Sequence, residues 1–256
     1  MVLNGVFVAS HRETHFGYQS VAENDKADRV GEVFDSVANA YDLMNDAMSL
    51  GVHRLWKRHA IASLQLRMGH RVLDLAAGTG DLTRLALPLV GDSGVVLMTD
   101  INHSMLSCGR DRFLDQGLCS GIEFLRVDAE VLPFENHSFD RIMMGFGLRN
   151  VTHKDRVLSE MYRVLRPGGI AMVLEFSHPT QAAFAKLYDW YSFNILPTLG
   201  SFLAKDRDSY QYLVESIRMH PKQDTLQQMF TEAGFDHCHY HNLTQGIVAI
   251  HKGVKY

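Results

Sequence analysis

Between residues 71 and 177 the chain alternates two rhythms. Short apolar runs, RVLDLA (71–76), VVLMTDI (95–101), IEFLRVDA (122–129), FDRIMMGF (139–146) and GIAMVLEFS (169–177), read as buried strands. The segments DLTRLALPLV (81–90), NHSMLSCGRDRFLDQG (102–117) and HKDRVLSEMYRVLR (153–166) between them read as helices. In the last, Val157, Leu158, Met161, Val164 and Leu165 mark one buried face, and Thr152 with Asp155 predicts the helix start. Arg166-Pro167-Gly168-Gly169 is expected to end that helix and turn into the next strand. Strand and helix alternating over this length predict an α/β fold, a parallel sheet covered on both faces.

The flanks do not share this rhythm. Residues 1–25 are polar and unpatterned, and the expectation is a poorly ordered segment. Over 28–48, Phe34, Val37, Ala38, Tyr41, Met44 and Met48 recur at helical spacing, and a second helix is expected over 52–64. Residues 179–204 are aromatic and apolar, with Tyr188, Trp190, Tyr191, Phe193 and Phe202 around Pro197 and Gly200. Helices over 209–219 and 222–233 and two closing strands in HCHYHNLTQGIVAIHKG (237–253) complete the reading. A chain of 256 residues with 46% hydrophobic content suits one domain. That domain is 26–256, with an N-terminal helical cover at 26–65 and an inserted helical substrate cover at 178–220.

Charge and cysteine content exclude some classes. A net charge of −4 without a basic run argues against nucleic acid as a partner. Cys108, Cys119 and Cys238 form no CxxC pair, which points to a reducing compartment. The N-terminal MVLNGVFVAS lacks the pattern of a leader, and no apolar run is long enough to span a bilayer. The expected location is the cytoplasm.

The first strand feeds a glycine turn, VLDLAAGTGDL (72–82), that opens the first helix. Such a unit starts a nucleotide-binding α/β sheet. Glycine lets a ligand approach the main chain without a Cβ in the way. Only Gly78 and Gly80 are present, the third glycine of GxGxxG is missing, and no Lys-Ser/Thr follows to embrace a phosphate. Asp74 and Asp81 flank the turn with negative charge that would repel a pyrophosphate and suits a cationic ligand. Asp100, with Ile101 beside it, ends the second strand where an acid can accept both hydroxyls of a ribose. Asp128 ends the third, beside Ala129, where a carboxylate can take an adenine amino proton. Ribose, adenine and a positive remainder without phosphate describe S-adenosyl-L-methionine. The competing readings are strand-end aspartates that only cap helices, and a nicotinamide or other nucleotide site.

YDLMNDAMSLGVHRLWK (41–57), the glycine loop, FGLRNVT (146–152), RVLRPGGIAMVLEFS (163–177), SYQYLVESIRMHP (209–221) and LTQGIVAIHKG (243–253) resemble the signatures of the UbiE-type quinone C-methyltransferases. The likeness runs from about residue 14 to the end of the chain. It implies a Rossmann-like, seven-stranded class I methyltransferase fold. It also implies S-adenosylmethionine-dependent methylation of a ring carbon of a 2-methoxy-6-polyprenyl-1,4-benzoquinol in ubiquinone biosynthesis, of demethylmenaquinol in menaquinone biosynthesis, or of both. By the same resemblance Thr79, Asp100 and the Asp128-Ala129 pair fall on cofactor-contacting positions. Three positions depart from the family pattern: Ala77 for glycine, Gly145 for a serine beside the cofactor, and His153 for aspartate. A positive φ at Ala77 would be unexpected.

The transfer chemistry needs a quinol hydroxyl to lose its proton and the resulting phenolate to be steadied. Arg149 and Asn150 follow the fourth strand on the edge where α/β folds bind ligands, so a guanidinium there could hold the phenolate and Asn150 could orient the hydroxyl or a water. Tyr41 could close the site from the N-terminal helix. Against these stand a structural ion pair or helix cap for Arg149 and a buried packing face for Tyr41. Residues 184–204 are expected to wall the prenyl tail, the alternative being an ordinary pair of core helices. FNILPTLGSFL (193–203) is long enough to rest against a bilayer, so peripheral contact with the inner face of the membrane is expected. His237, His239 and His241 raise a metal hypothesis, but alternate strand positions spread along the chain and no metal site is expected. His53 suits a packing or lid role. Expected partners are a polyprenylated quinol and, for the chain itself, a homodimer or a quinone-synthesis complex, with no nucleic acid. The rival functions are methylation of another hydrophobic phenol or sterol, and a catalytically silent S-adenosylmethionine-binding partner.

Overall fold

The computed structural model describes residues 12–37, 45–46, 49, 51–181 and 207–256. Tyr41 and the aromatic segment 184–204 lie outside the described residues.

The alternating centre folds as its pattern predicts. The strands are β3 (Arg71–Leu75), β4 (Val95–Asp100), β5 (Ile122–Arg126), β6 (Phe139–Gly145) and β7 (Leu165–Phe176). The helices between them are α3 (Asp81–Val90), α4 (His103–Asp115) and α5 (Lys154–Val164). Upstream stand α1 (Glu23–Val37) and α2 (His53–Ser63). Downstream follow α6 (Arg207–Met219), α7 (Gln223–Glu232), β8 (Asp236–Leu243) and β9 (Val248–Val254). The seven strands form one sheet in the order β5-β4-β3-β6-β7-β9-β8, parallel through β7 and antiparallel where β9 pairs with β7 and β8.

Period-two alternation along each strand builds a core on both faces. Val72, Met143, Met172 and Leu174 face one way, against Trp56, Ala60, Val90 and Leu213. Leu73, Leu75, Ile142, Met144, Ala171 and Val173 face the other, against Val157, Met161, Leu226 and Phe230. The chain runs outward through β4 and β5, then returns across β3 to β6 and β7. The strand order therefore reverses between β3 and its neighbours, and in such sheets the crevice at that reversal is the ligand site.

Three local expectations are corrected. Residues 13–22, expected to be poorly ordered, form a hairpin of β1 (Glu13–Phe16) and β2 (Gln19–Ala22), turned at Gly17 with φ +58°. Its support is remote in sequence: Phe16 stacks on Tyr212 with centroids 4.2 Å apart, and the Tyr18 N–H donates to Glu215 at 3.0 Å. A two-stranded hairpin is marginal without such packing. Helix α5 begins after His153 without a side-chain cap, and not at the expected Thr152. Glu130 replaces the cap, its Oε1 accepting the N–H groups of Thr152 at 3.1 Å and His153 at 2.9 Å. The Arg166-Pro167-Gly168-Gly169 turn lies inside β7 as an irregularity in its pairing with β6, held by Lys255, whose carbonyl accepts the Gly168 N–H at 2.6 Å.

Candidate functional site

At the carboxyl ends of β3, β4, β5 and β6 the sheet opens into a cavity that, with the solvent space at its mouth, measures about 900 Å³. Ala76 and Gly78 of the glycine turn, Asp100 and Ile101 after β4, and Asp128 and Ala129 after β5 contribute to its wall. Helix α1 adds Ala27, Val30, Gly31 and Phe34, and the loop after β6 adds Gly147, Asn150, Val151 and Thr152. The lining is mostly apolar with a few convergent polar groups, the usual composition of a small-molecule site.

Backbone conformation explains the glycine spacing. Gly78 and Gly80 have φ of +58° and +84°. The third left-handed residue is Ala76, at φ +49°, and not Ala77. The Cβ at Ala77 is therefore accommodated without the strain feared from its sequence, while Ala76 carries it instead. Gly147 answers Ala76 across the cavity floor: a Cβ on Gly147 would come within 2.6 Å of the Ala76 Cβ. Gly80 does not line this cavity. It starts α3, and a Cβ there would meet Phe113 at 2.5 Å.

Asp100 is fixed from both sides. Its Oδ2 accepts the Gly78 N–H and its Oδ1 the Asn102 N–H, each at 2.8 Å. A carboxylate offers about four acceptor positions, so capacity remains for a ribose hydroxyl. Burial pushes this carboxyl up from its ordinary value, against the backbone N–H groups that favour its charge. Asp128 accepts the Glu130 N–H at 2.9 Å through one oxygen.

Asp74, Thr79 and Gly145 line an adjoining recess of about 310 Å³ with Lys57, Asp81 and Phe146. Asp74 is fully buried; its Oδ2 accepts the Thr83 hydroxyl at 2.6 Å, and its Oδ1 has no partner. Burial raises its pKa to about 7, with the charges of Asp100 and Asp81 adding to the shift. Burial also works to raise Asp81, but Lys57 at 2.6 Å and Arg112 at 3.2 Å outweigh it and hold that acid below its ordinary value. An acid-rich crevice with a bare buried carboxylate oxygen and no unpaired lysine in the recess fits a cationic ligand with a ribose. It does not fit a pyrophosphate.

Arg149 does not face this cavity. It is 2% exposed, and its guanidinium donates to Glu175 at 2.9 Å and to the Phe146 carbonyl. Its own N–H donates to the other Glu175 oxygen at 3.1 Å, and Phe176 lies under the guanidinium at 5.6 Å. The expectation of a guanidinium facing the acceptor is corrected, because Glu175 on β7 draws it inward. Asn150 does line the cavity, and its Oδ1 accepts the Tyr212 hydroxyl at 3.0 Å. His237 packs edge-on against Tyr256, while His241 meets His59, and no metal-binding group of histidines, cysteines and acids occurs among the described residues. Buried His53 bonds Asp46 at 2.9 Å.

Sequence reasoning missed the roof and one wall. Phe34 was visible only as part of a helical stripe, and Val30, Gly31 and Asn102 carried no motif. Asn102 caps α4 through the Met105 N–H at 2.8 Å while its amide donates to Asp35 at 2.9 Å, which seats α1 over the cavity. The signal available in advance was the asparagine directly before a helical run.

Fold and crevice together define a class I, S-adenosylmethionine-dependent methyltransferase. A solved methyltransferase of that dependence from Aquifex aeolicus superposes with a TM-score of 0.61 at 14% identity, over 84% of this chain and 98% of the other. The sequence places it more narrowly. The profile of the ubiE/COQ5 methyltransferase family matches residues 21–255, and the chain belongs to that family. It is 58% identical over 245 residues to the "Ubiquinone/menaquinone biosynthesis C-methyltransferase UbiE" of Pseudoalteromonas translucida, covering 96% of this chain and 98% of that one. The protein of the same name from Legionella pneumophila is 59% identical over 243 residues, covering 95% and 97%.

Proposed function

We propose that the protein methylates a ring carbon of a polyprenyl quinol, in ubiquinone biosynthesis, menaquinone biosynthesis or both. The observation that carries this is identity of 58% over a match that spans nearly the whole length of both chains and not the cofactor crevice alone. S-adenosylmethionine supplies, when bound, a methyl group made electrophilic by its sulfonium.

The chain's own residues supply the rest. Asp100 holds the ribose hydroxyls, Asp128 and Ala129 the adenine edge, and the main chain at Gly78 the close approach between them. Asp74 and Thr79 border the recess that receives the amino-acid end, with Gly145 leaving it open. Ile101 covers the ribose from the rim. At the acceptor, Asn150 hydrogen-bonds the quinol oxygen, so that charge developing there is stabilised. With the quinol hydroxyl ionised, the ring carbon would take the methyl as the carbon–sulfur bond breaks with its electron pair left on sulfur, and the ring proton would pass to solvent, restoring the aromatic quinol. Arg149, paired with Glu175, positions the loop that carries Asn150. The inner face of the membrane is where such a substrate is met. No described helix is long and apolar enough to cross a membrane.

The test is transfer of a labelled methyl from S-adenosylmethionine to two short-chain acceptors, a methoxybenzoquinol and a demethylmenaquinol. Methylated product from at least one is expected. Tight cofactor binding with no product from either would leave the silent-partner reading in its place.

A further inference from the structure

Asn150 can serve an acceptor oxygen in two opposite ways, because its amide carries an acceptor on one side and a donor on the other. Which side meets the cavity depends on what holds the amide. The described residues give it one side-chain partner, Tyr212, whose hydroxyl lies 3.0 Å from Oδ1. That hydroxyl is the donor for a physical reason. Tyr212 is buried, and its O–H has no other acceptor among the described residues, so accepting from the amide would leave a buried donor unmade. Burial also pushes the phenol above its ordinary pKa, so the proton is retained at any working pH. With Oδ1 occupied in this way, the free group of Asn150 is its NH₂, and no partner for it occurs among the described residues.

Tyr212 is itself held. Phe16 of the N-terminal hairpin stacks on its ring at 4.2 Å with the planes 17° apart. The hairpin is tied to the same helix by the Tyr18 N–H on Glu215.

Resting on the quinol reading above, we infer that Tyr212, clamped by Phe16, is a positioning residue that fixes the Asn150 amide so that its NH₂ donates to the quinolate oxygen during methyl transfer. Asn150 then acts as a donor to the charge left when the quinol hydroxyl ionises and not as the base. The hairpin, distant from the cofactor motifs in sequence, becomes part of the acceptor site.

The experiment uses the full chain with a methoxybenzoquinol bearing a short prenyl tail. Tyr212→Phe removes only the oxygen that orients the amide. The expected fall in kcat is about tenfold, less than the loss of a whole oxyanion donor. The cofactor Kd stays at the wild-type value by calorimetry. The kcat–pH profile shifts to higher pH by about one unit, because a donor that favours the ionised acceptor is no longer held in place. In an Asn150→Asp background, which has no NH₂ to orient, Tyr212→Phe has little further effect. If Tyr212→Phe fails to fold, Phe16→Leu keeps both bonded groups and is expected to give a smaller fall in kcat with the same direction of pH shift.

Wild-type kcat and pH profile in Tyr212→Phe, or in the folded Phe16→Leu where that substitutes for it, would overturn the inference alone. Full additivity with Asn150→Asp would do the same. A wild-type enzyme that binds the cofactor but methylates no quinol would overturn the quinol reading, and this inference with it.

Discussion

The two sides of the cavity are built on different principles. On the cofactor side, Asp100 and Asp128 stand at the ends of parallel strands and are fixed by backbone N–H groups close by in the fold: Asp100 by Gly78 and Asn102, Asp128 by Glu130. On the acceptor side, side chains are fixed by other side chains far away in sequence: Arg149 by Glu175, Asn150 by Tyr212, Tyr212 by Phe16. The first arrangement forms once the sheet forms. The second waits for the β1–β2 hairpin and α6 to dock beside the loop after β6, so substitutions there should disturb stability and turnover more than cofactor affinity.

The largest expected effect tests the acceptor side. Glu175→Gln leaves the Arg149 guanidinium buried beside a neutral partner, which should lower unfolding free energy by about 3–5 kcal/mol, read from urea denaturation. The double variant Glu175→Gln/Arg149→Met should recover much of that loss. A fully additive loss would mean that the pair is not the local organiser it is drawn as.

Asp100→Asn sharpens the other half. Both carboxylate oxygens accept an N–H, so an amide must turn its NH₂ toward one of those donors while losing a ribose acceptor. Cofactor affinity should fall by about 2–3 kcal/mol, measured by calorimetry, in line with removing a charged hydrogen-bonding group. An unchanged Kd would displace the ribose from Asp100.

A smaller effect concerns pH. Asp74 titrates near 7 when folded, above its unfolded value of 3.8. Its contribution to ligand-free stability is therefore complete below 3.8 and lost as pH rises from there through 7. The ionised form is the one that attracts a cation, so affinity for S-adenosylmethionine should rise as pH increases from 6 to 8, by up to about tenfold. In Asp74→Asn that slope should flatten, and a slope that persists would assign it to another group.

The smallest expected effect is at Ala76. Glycine there relieves the left-handed strain at φ +49°, and Ala76→Gly should raise stability by up to about 1 kcal/mol with kcat unaltered. A loss of stability would mean that chain entropy outweighs the strain.

What could be read in advance follows the same division. The strands, α3 to their exact ends in DLTRLALPLV, and the acids around the glycine turn were legible because each is written in consecutive residues with a fixed period. The hairpin at 13–22 was not legible, since its four-residue strands have no apolar face of their own and depend on Tyr212 and Glu215. Nor was the inward turn of Arg149, because Glu175 reads locally as one acid in an apolar strand. Thr152 and Asp155 imitated a capping box whose work Glu130 performs from another loop.

By itself, the order of residues determined the sheet, its direction of winding and the acidic crevice at its reversal, because periodicity and strand-end chemistry act over a few residues. Only the tertiary structure decided that Arg149 turns inward to Glu175, that Asn150 meets Tyr212 and that residues 13–22 form a hairpin. Those outcomes depend on buried polar groups finding partners across the fold, and a buried group's partner is a property of packing and not of its neighbours in the chain.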